Sequence, residues 1–188
     1  MTSQIFKSLF MVITLSCMTT VYTHAQESSM QALIGQSLSK LRGSTAGNGE
    51  ATSQQPSPEA FLNCIAELKR IDAMFPDSIQ PKYQTALNSL YFSVLNPHAP
   101  QTEDLLTETE RSIAQMNRMK GTDPSDIFTL TGFLYMVRIV QNPAMNGQRY
   151  YRDVMENYEK ALKQNPDNAL AKQLQQQFLE GMRKATGK

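Results

Sequence analysis

The residues from Ile127 to Val140 are apolar on nearly every side of a helix, and this stretch constrains the fold more than any other. A helix of this kind is buried between neighbours or lies in a membrane. Crossing a bilayer takes about 20 apolar residues, whereas this run has 14 and is interrupted by Arg138. We therefore expect a central core helix, packed as a hairpin with a second helix that ends at Asn165-Pro166.

Residues 1–25 have the pattern of a secretory signal peptide. Lys7 is followed by an apolar run that ends at Leu15, and Thr23 and Ala25 are small residues suited to a cleavage site. We expect export to the periplasm or cell envelope, with Gln26 as the new N-terminus. In the alternative of a lipoprotein, Cys17 would carry the lipid.

The net charge of the mature chain excludes two classes of partner. Loss of Lys7 leaves 17 basic residues against 17 acidic ones. A neutral chain lacks the basic surface that nucleic acid or an anionic membrane requires, so we expect neither, and no transmembrane segment after cleavage. Cys64 is the only cysteine left, so no intrachain disulfide can form.

An N-terminal segment, residues 26–57, precedes the main domain. Residues 26–41 place five apolar side chains at helical spacing, at Met30, Leu33, Ile34, Leu38 and Leu41. Residues 42–57 contain almost no large apolar group, which is typical of a flexible linker. We therefore expect a helix isolated from the rest of the chain.

Residues 58–182 form the main domain, for which we predict five to six helices and a tail at 183–188. The expected starts are Ser57-Pro58, Pro81, Thr102, Asp123-Pro124 and, after a loop at 142–147, a fifth helix; a capping helix runs from about Asn168 to Met182. Gly121 suits the left-handed stop of the third helix. Because no segment shows the period-two alternation of a strand, the sequence predicts an all-α fold.

The helices recur at a spacing of about 45 residues. Cys64, Thr109 and Val154 are each 45 residues apart, and Pro76 lies 90 residues before Pro166. Evenly long helices give rough periodicity by chance, but the matched proline turns favour a true repeat, the mark of stacked helical hairpins.

These positions carry a resemblance to a known family. Seven residues match the aromatic and small positions of the tetratricopeptide repeat (TPR): Phe128, Gly132, Tyr135, Val154, Tyr158, Ala161 and Pro166. The resemblance implies TPR-like stacked hairpins, with two degenerate repeats of about 45 residues and a capping helix. The chain departs from the motif by an insertion of roughly 10 residues in each hairpin. With its signal peptide, it looks like the small exported TPR-like proteins of Gram-negative bacteria.

The sequence offers no constellation for catalysis, a cofactor or a metal ion. Cys64 falls on an apolar helical stripe, where a buried structural thiol is the expected role. His98 is the only histidine of the mature chain, and zinc usually takes three or four ligands. We therefore expect a protein that is not an enzyme.

In the TPR family the inner faces of the first helices form the ligand groove. By resemblance, this maps to six residues: Gln84, Asn88, Tyr91, Thr129, Phe133 and Met136. Their aromatic and amide side chains suit an apolar or extended peptide. The expected function is an exported, non-enzymatic module that binds a partner peptide or protein. The alternative is a small structural bundle that forms a homo-oligomer, or packs into an envelope complex, through residues 26–41.

Overall fold

A computed structural model describes residues 26–44 and 55–186. Within these ranges the chain forms seven helices and no strand, which confirms the all-α prediction: α1 (26–43), α2 (Pro58–Met74), α3 (Ile79–Leu95), α4 (Thr102–Met116), α5 (Pro124–Gln141), α6 (Pro143–Gln164) and α7 (Ala169–Thr186). None of these helices is long and apolar enough to cross a membrane. The predicted signal peptide, linker residues 45–54 and the last two residues of the tail lie outside the described residues.

Two helices begin where their capping residues predict. The Ser57 hydroxyl accepts a hydrogen bond from the Ala60 amide at 3.1 Å, and Pro58 occupies the first helical position of α2. The Asp123 carboxylate likewise accepts from the Ser125 amide at 2.8 Å at the start of α5. Each side chain satisfies one of the backbone donors that a helix start leaves unpaired.

Two other predicted starts were wrong. Helix α3 begins at Ile79 rather than Pro81, with Ser78 in the capping position. The predicted loop at 142–147 is helical after its first residue, because Asn142 caps α6 and accepts from the Met145 amide at 3.2 Å. Helices α5 and α6 are therefore long, and only Asn142 lies between them.

The predicted central helix α5 lies at the centre of the main core. It packs against α3, α4, α6 and α7, and its side chains supply much of a buried cluster that includes Leu130, Phe133 and Val137. Arg138, the one charged residue of its apolar run, reaches α4 and pairs with Glu103 at 2.6 Å and Glu110 at 3.2 Å. The charge therefore stays near solvent while the stem of Arg138 covers the core.

A second buried cluster corrects the expectation that the first helix is isolated. Met30, Ile34 and Leu41 of α1 are buried with Phe61, Cys64, Ile65 and Leu68 of α2. At the edge of this contact, Glu67 accepts hydrogen bonds at 2.8 Å from the Ser37 hydroxyl and the Lys40 ammonium. The apolar face of α1 is therefore covered within the chain.

Candidate functional site

The six residues predicted to line a groove lie on α3 and α5, but most of them are inside the protein. Asn88, Thr129, Phe133 and Met136 are buried, whereas Gln84 and Tyr91 are half-buried. Of these six residues, only Gln84 and Tyr91 could therefore contact a partner at the surface.

The buried members of this set have partners within the core. The Phe133 ring lies edge-on to the Tyr91 ring, with 5.2 Å between the centroids. The Thr129 hydroxyl donates to the Ser125 carbonyl at 2.7 Å, and the Asn88 amide donates to the Gln84 carbonyl at 2.7 Å. The sulfur of Met136 lies 4.0 Å from the Tyr158 hydroxyl. These contacts give the residues a role in packing.

A cleft with a volume of about 540 Å³ opens beside this region, and we call it the acidic cleft. It is formed by the first described residues of α1, the turn between α2 and α3, and the start of α5. Four carboxylates line it, from Glu27, Asp77, Asp123 and Asp126, and no lysine, arginine or histidine is among its described lining residues. Apolar surface comes from Met30, Phe75 and Ile79.

Local structure places three of these acids at helix starts. Asp123 caps α5, Asp126 lies in its first turn, and Glu27 lies in the first described turn of α1. Asp77 precedes the start of α3 by two residues. Gly121, with φ of 88°, supplies the left-handed turn that brings the chain into α5. Negative groups at helix N-termini are stabilised by the helix dipole, so the starts of α3 and α5 concentrate negative charge in one cleft, to which Glu27 of α1 adds.

The electrostatics of the acidic cleft favour a positively charged ligand. Burial, and then the charge of Asp123, raise the pKa of Asp126, although a hydrogen bond from Asn168 opposes this shift. Burial, and then the charge of Asp126, likewise raise the pKa of the nearby Tyr83. Both effects show negative charge confined in a partly desolvated space, where a cation gains more than it would in open water.

The groups weighed for catalysis lie apart from this cleft. Cys64 is buried between α1 and α2, and burial raises the pKa of its thiol to about 11, which disfavours the thiolate needed for a nucleophile. His98 is exposed in the loop between α3 and α4. Among the described residues, no group of three or more His, Cys, Asp or Glu side chains could hold a metal ion.

Sequence reasoning missed all four acids of the cleft. The available signal was a carboxylate just before alternate helices, α3, α5 and α7, with Asp77, Asp123 and Asp167 separated by 46 and 44 residues, close to the predicted spacing of about 45. The chain matches no protein-family model, no curated protein and no solved structure. The site must therefore be interpreted from its own chemistry.

Proposed function

We propose that this protein is an exported, non-enzymatic interaction module of TPR-like helical hairpins that binds a basic segment of a partner protein in the acidic cleft. The observation that carries the proposal is a cleft of about 540 Å³ lined by four carboxylates and by no lysine, arginine or histidine among its described residues. The amino group that cleavage would create at Gln26, which also lines the cleft, would still leave the acids in excess. Complementary charge of this kind steers binding and selects the partner. The apolar surface of Met30, Phe75 and Ile79 would cover the aliphatic stems of lysine or arginine side chains.

The arrangement of the helices supports the TPR-like part of the proposal. Each helix from α2 to α6 packs on the next, and α3 also contacts α5, as α5 contacts α7. This alternation is what stacked hairpins produce when each covers the apolar face of its neighbour. Gly132 of α5 also lies against the Tyr158 ring of α6, as the small-residue position of the motif requires.

Peptide binding tests the role of the acidic cleft. We expect the fluorescence anisotropy of a labelled lysine-rich peptide to rise when the protein is added. The anisotropy of a labelled glutamate-rich peptide of equal length should not change. The double variant Glu27→Gln/Asp77→Asn should weaken binding of the lysine-rich peptide by at least about tenfold and reduce its dependence on salt. Neither side chain caps a helix in the part of the chain that the structure describes, so both substitutions should leave the helices intact.

Asp167→Asn is the matched control. Asp167 follows Pro166 as Asp77 follows Pro76, but it does not line the acidic cleft. This variant should bind the lysine-rich peptide like the wild type. Equal binding by all three proteins would reject the acidic cleft as the site, and turnover of a substrate that disappears with the double variant would reject the non-enzymatic role.

A further inference from the structure

A second cleft lies between α2 and α4, and residues of α3 also line it. We call it the α2–α4 cleft, and the inference drawn from it does not depend on the proposed function. Its volume is about 270 Å³. Three cations line it, from Lys69, Lys82 and Arg111, together with the two carboxylates of Asp72 and Glu108. Its remaining lining is mostly small and polar, and includes Ser89, Thr109 and Ser112.

Both carboxylates of this cleft already pair with a lysine. Lys82 is only 3% exposed, and its ammonium lies 2.6 Å from both the Asp72 carboxylate and the Pro76 carbonyl at the end of α2. Lys69 pairs with Glu108 across the cleft. Arg111 is exposed and has no ion-pair partner among the described residues. The cleft therefore has one positive charge in excess.

Thr109 has an unusual position in this cleft. Its side chain is 2% exposed, and its hydroxyl has no hydrogen-bond partner among the described residues. Four other threonines within helices donate to the carbonyl four residues earlier, at 2.7 to 3.0 Å: Thr85, Thr107, Thr129 and Thr131. Leaving a buried hydroxyl unpaired is unfavourable, and buried polar groups without a partner call for an explanation.

The residues at equivalent positions 45 residues away lack the hydroxyl that Thr109 has. The positions 45 residues before and after it hold Cys64 and Val154, both of them buried. Valine has nearly the shape of threonine, so packing alone does not require a hydroxyl at this place in the repeat. The hydroxyl occurs only in the hairpin whose helix also carries Arg111 and Ser112 into the cleft.

We propose that the α2–α4 cleft binds a small oxyanion, a phosphate or carboxylate group, that pairs with Arg111 and accepts hydrogen bonds from the hydroxyl of Ser112 and, once the buried Thr109 side chain rotates toward the cleft, from the hydroxyl of Thr109. A planar guanidinium matches the oxygens of either group and forms the stronger, charge-assisted type of hydrogen bond. The hydroxyls complete the coordination from the same face of α4. The volume suits a small molecule and is too small for a folded partner.

The experiment is a titration of the ¹⁵N-labelled protein with inorganic phosphate and, separately, with acetate, each against chloride at equal ionic strength. We expect saturable shifts of the backbone amides of residues 109–112 with at least one of the two anions. Saturation by phosphate alone assigns a phosphate ligand, and saturation by acetate alone assigns a carboxylate. Shifts equal to those in chloride would overturn the proposal.

Three variants complete the titration. Thr109→Val and Arg111→Gln should each weaken the binding of the anion by about tenfold or more, the effect of losing a hydrogen bond to a charged group. Arg118→Gln removes the same charge from a residue that does not line the cleft, and should leave binding unchanged. If Thr109→Val and Arg111→Gln both bind the anion as the wild type does, the proposal is wrong.

Discussion

Gly132 shows how one residue sets the distance between two helices. A Cβ atom added there would lie 2.9 Å from Cε1 of Tyr158, whose side chain is fully buried. We therefore expect Gly132→Leu to lower the free energy of unfolding by about 1–3 kcal/mol through overpacking. Chemical denaturation followed by circular dichroism would measure this loss.

Gly147 provides the matched control for Gly132. It also lies within a helix, but a Cβ atom added there would meet no atom within 4 Å. Gly147→Ala should therefore raise the free energy of unfolding by about 0.5–1 kcal/mol, because alanine loses less backbone entropy in a helix. An unchanged stability in Gly132→Leu would refute the close contact between α5 and α6.

Asn168 and Ser125 together connect three helices through a buried hydrogen-bond network. Its carbonyl oxygen accepts from the Ala171 amide at 2.9 Å and caps α7, while its amide donates to the hydroxyls of Ser125 at 2.8 Å and Thr129 at 3.2 Å. The Ser125 hydroxyl donates in turn to the Ala161 carbonyl at the end of α6. We expect Asn168→Ala to cost about 2–3 kcal/mol of unfolding free energy, from the lost cap and from the two hydrogen bonds that the buried hydroxyls of Ser125 and Thr129 would no longer accept.

Two further variants separate the contributions of Asn168. Asn168→Asp keeps an acceptor for the cap but removes the donor to the two hydroxyls, so it should recover only part of the stability lost in Asn168→Ala. Asn165→Ala removes only an exposed hydrogen bond to the Asp167 amide and should cost less than about 1 kcal/mol. If Asn168→Ala were as mild as Asn165→Ala, the buried network would contribute little to stability.

At the scale of the helix, capping residues and prolines predicted the helix starts correctly where they favoured a single structure. Ser57-Pro58 and Asp123-Pro124 each join a cap to a proline that suits the first turn, and both starts are confirmed. Asn142-Pro143 carries the same signal, but asparagine followed by proline also marks turns, and the sequence predicts a loop there. Short-range patterns alone could not decide between these two structures.

The docking of α1 and the acidic cleft depend on contacts distant in sequence. The spacing of Met30, Ile34 and Leu41 predicted an amphipathic helix, but nothing in that pattern identifies α2 as the surface it covers. The acids of the cleft likewise come from three separate segments that meet only in the fold. The groove residues came from resemblance, and the core contacts of Thr129 and Phe133 could not be derived from it.

The contact between α1 and α2 gives a prediction for Cys64, which the two helices bury together. Ile34→Ala should release α1 and speed the labelling of Cys64 by a thiol reagent by at least about tenfold, because it removes roughly 2–5 kcal/mol of buried contact. Mass spectrometry of the peptide that contains Cys64 would give the rate. Gln36→Ala, on the exposed side of α1, should leave the rate unchanged.

Glu67 makes the same contact dependent on pH. Hydrogen bonds from Lys40 and then Ser37 lower the pKa of Glu67 from its ordinary value of 4.5. Because the folded pKa is the lower one, the stabilisation is fully present above 4.5 and is lost as pH falls through the folded pKa. Above pH 4.5 the unfolding free energy of the wild type should exceed that of Glu67→Gln by about 0.5–1 kcal/mol. The difference is small because the Lys40–Glu67 pair is partly exposed.

Denaturation curves across this pH range would test the role of Glu67. The two proteins should become equally stable at pH values below the folded pKa of Glu67. Glu159→Gln, which changes an exposed acid of α6, should show no such convergence. If the difference in unfolding free energy between wild type and Glu67→Gln stays constant as pH falls, the stabilisation does not come from the charge of Glu67.

At the scale of the whole molecule, two buried clusters meet along α3. One cluster joins α3 to α7, and the other joins α1 and α2 to Phe92 of α3 and Leu105 of α4. Tyr91 packs against both clusters and links them. The N-terminal helix thus acts as a cover for one end of the molecule, where a stacked array of hairpins would otherwise expose an apolar face.

This covering role distinguishes the proposed module from a structural bundle that self-associates through residues 26–41. If α1 covers α2, deletion of residues 26–57 uncovers Phe61, Cys64 and Ile65. An exposed apolar patch promotes association, so light scattering should find the intact chain monomeric and the truncated chain oligomeric. Glu67→Gln, which keeps the apolar contact, should remain monomeric. The opposite pattern, an intact oligomer and a truncated monomer, would instead make α1 the oligomerisation element and favour the structural bundle.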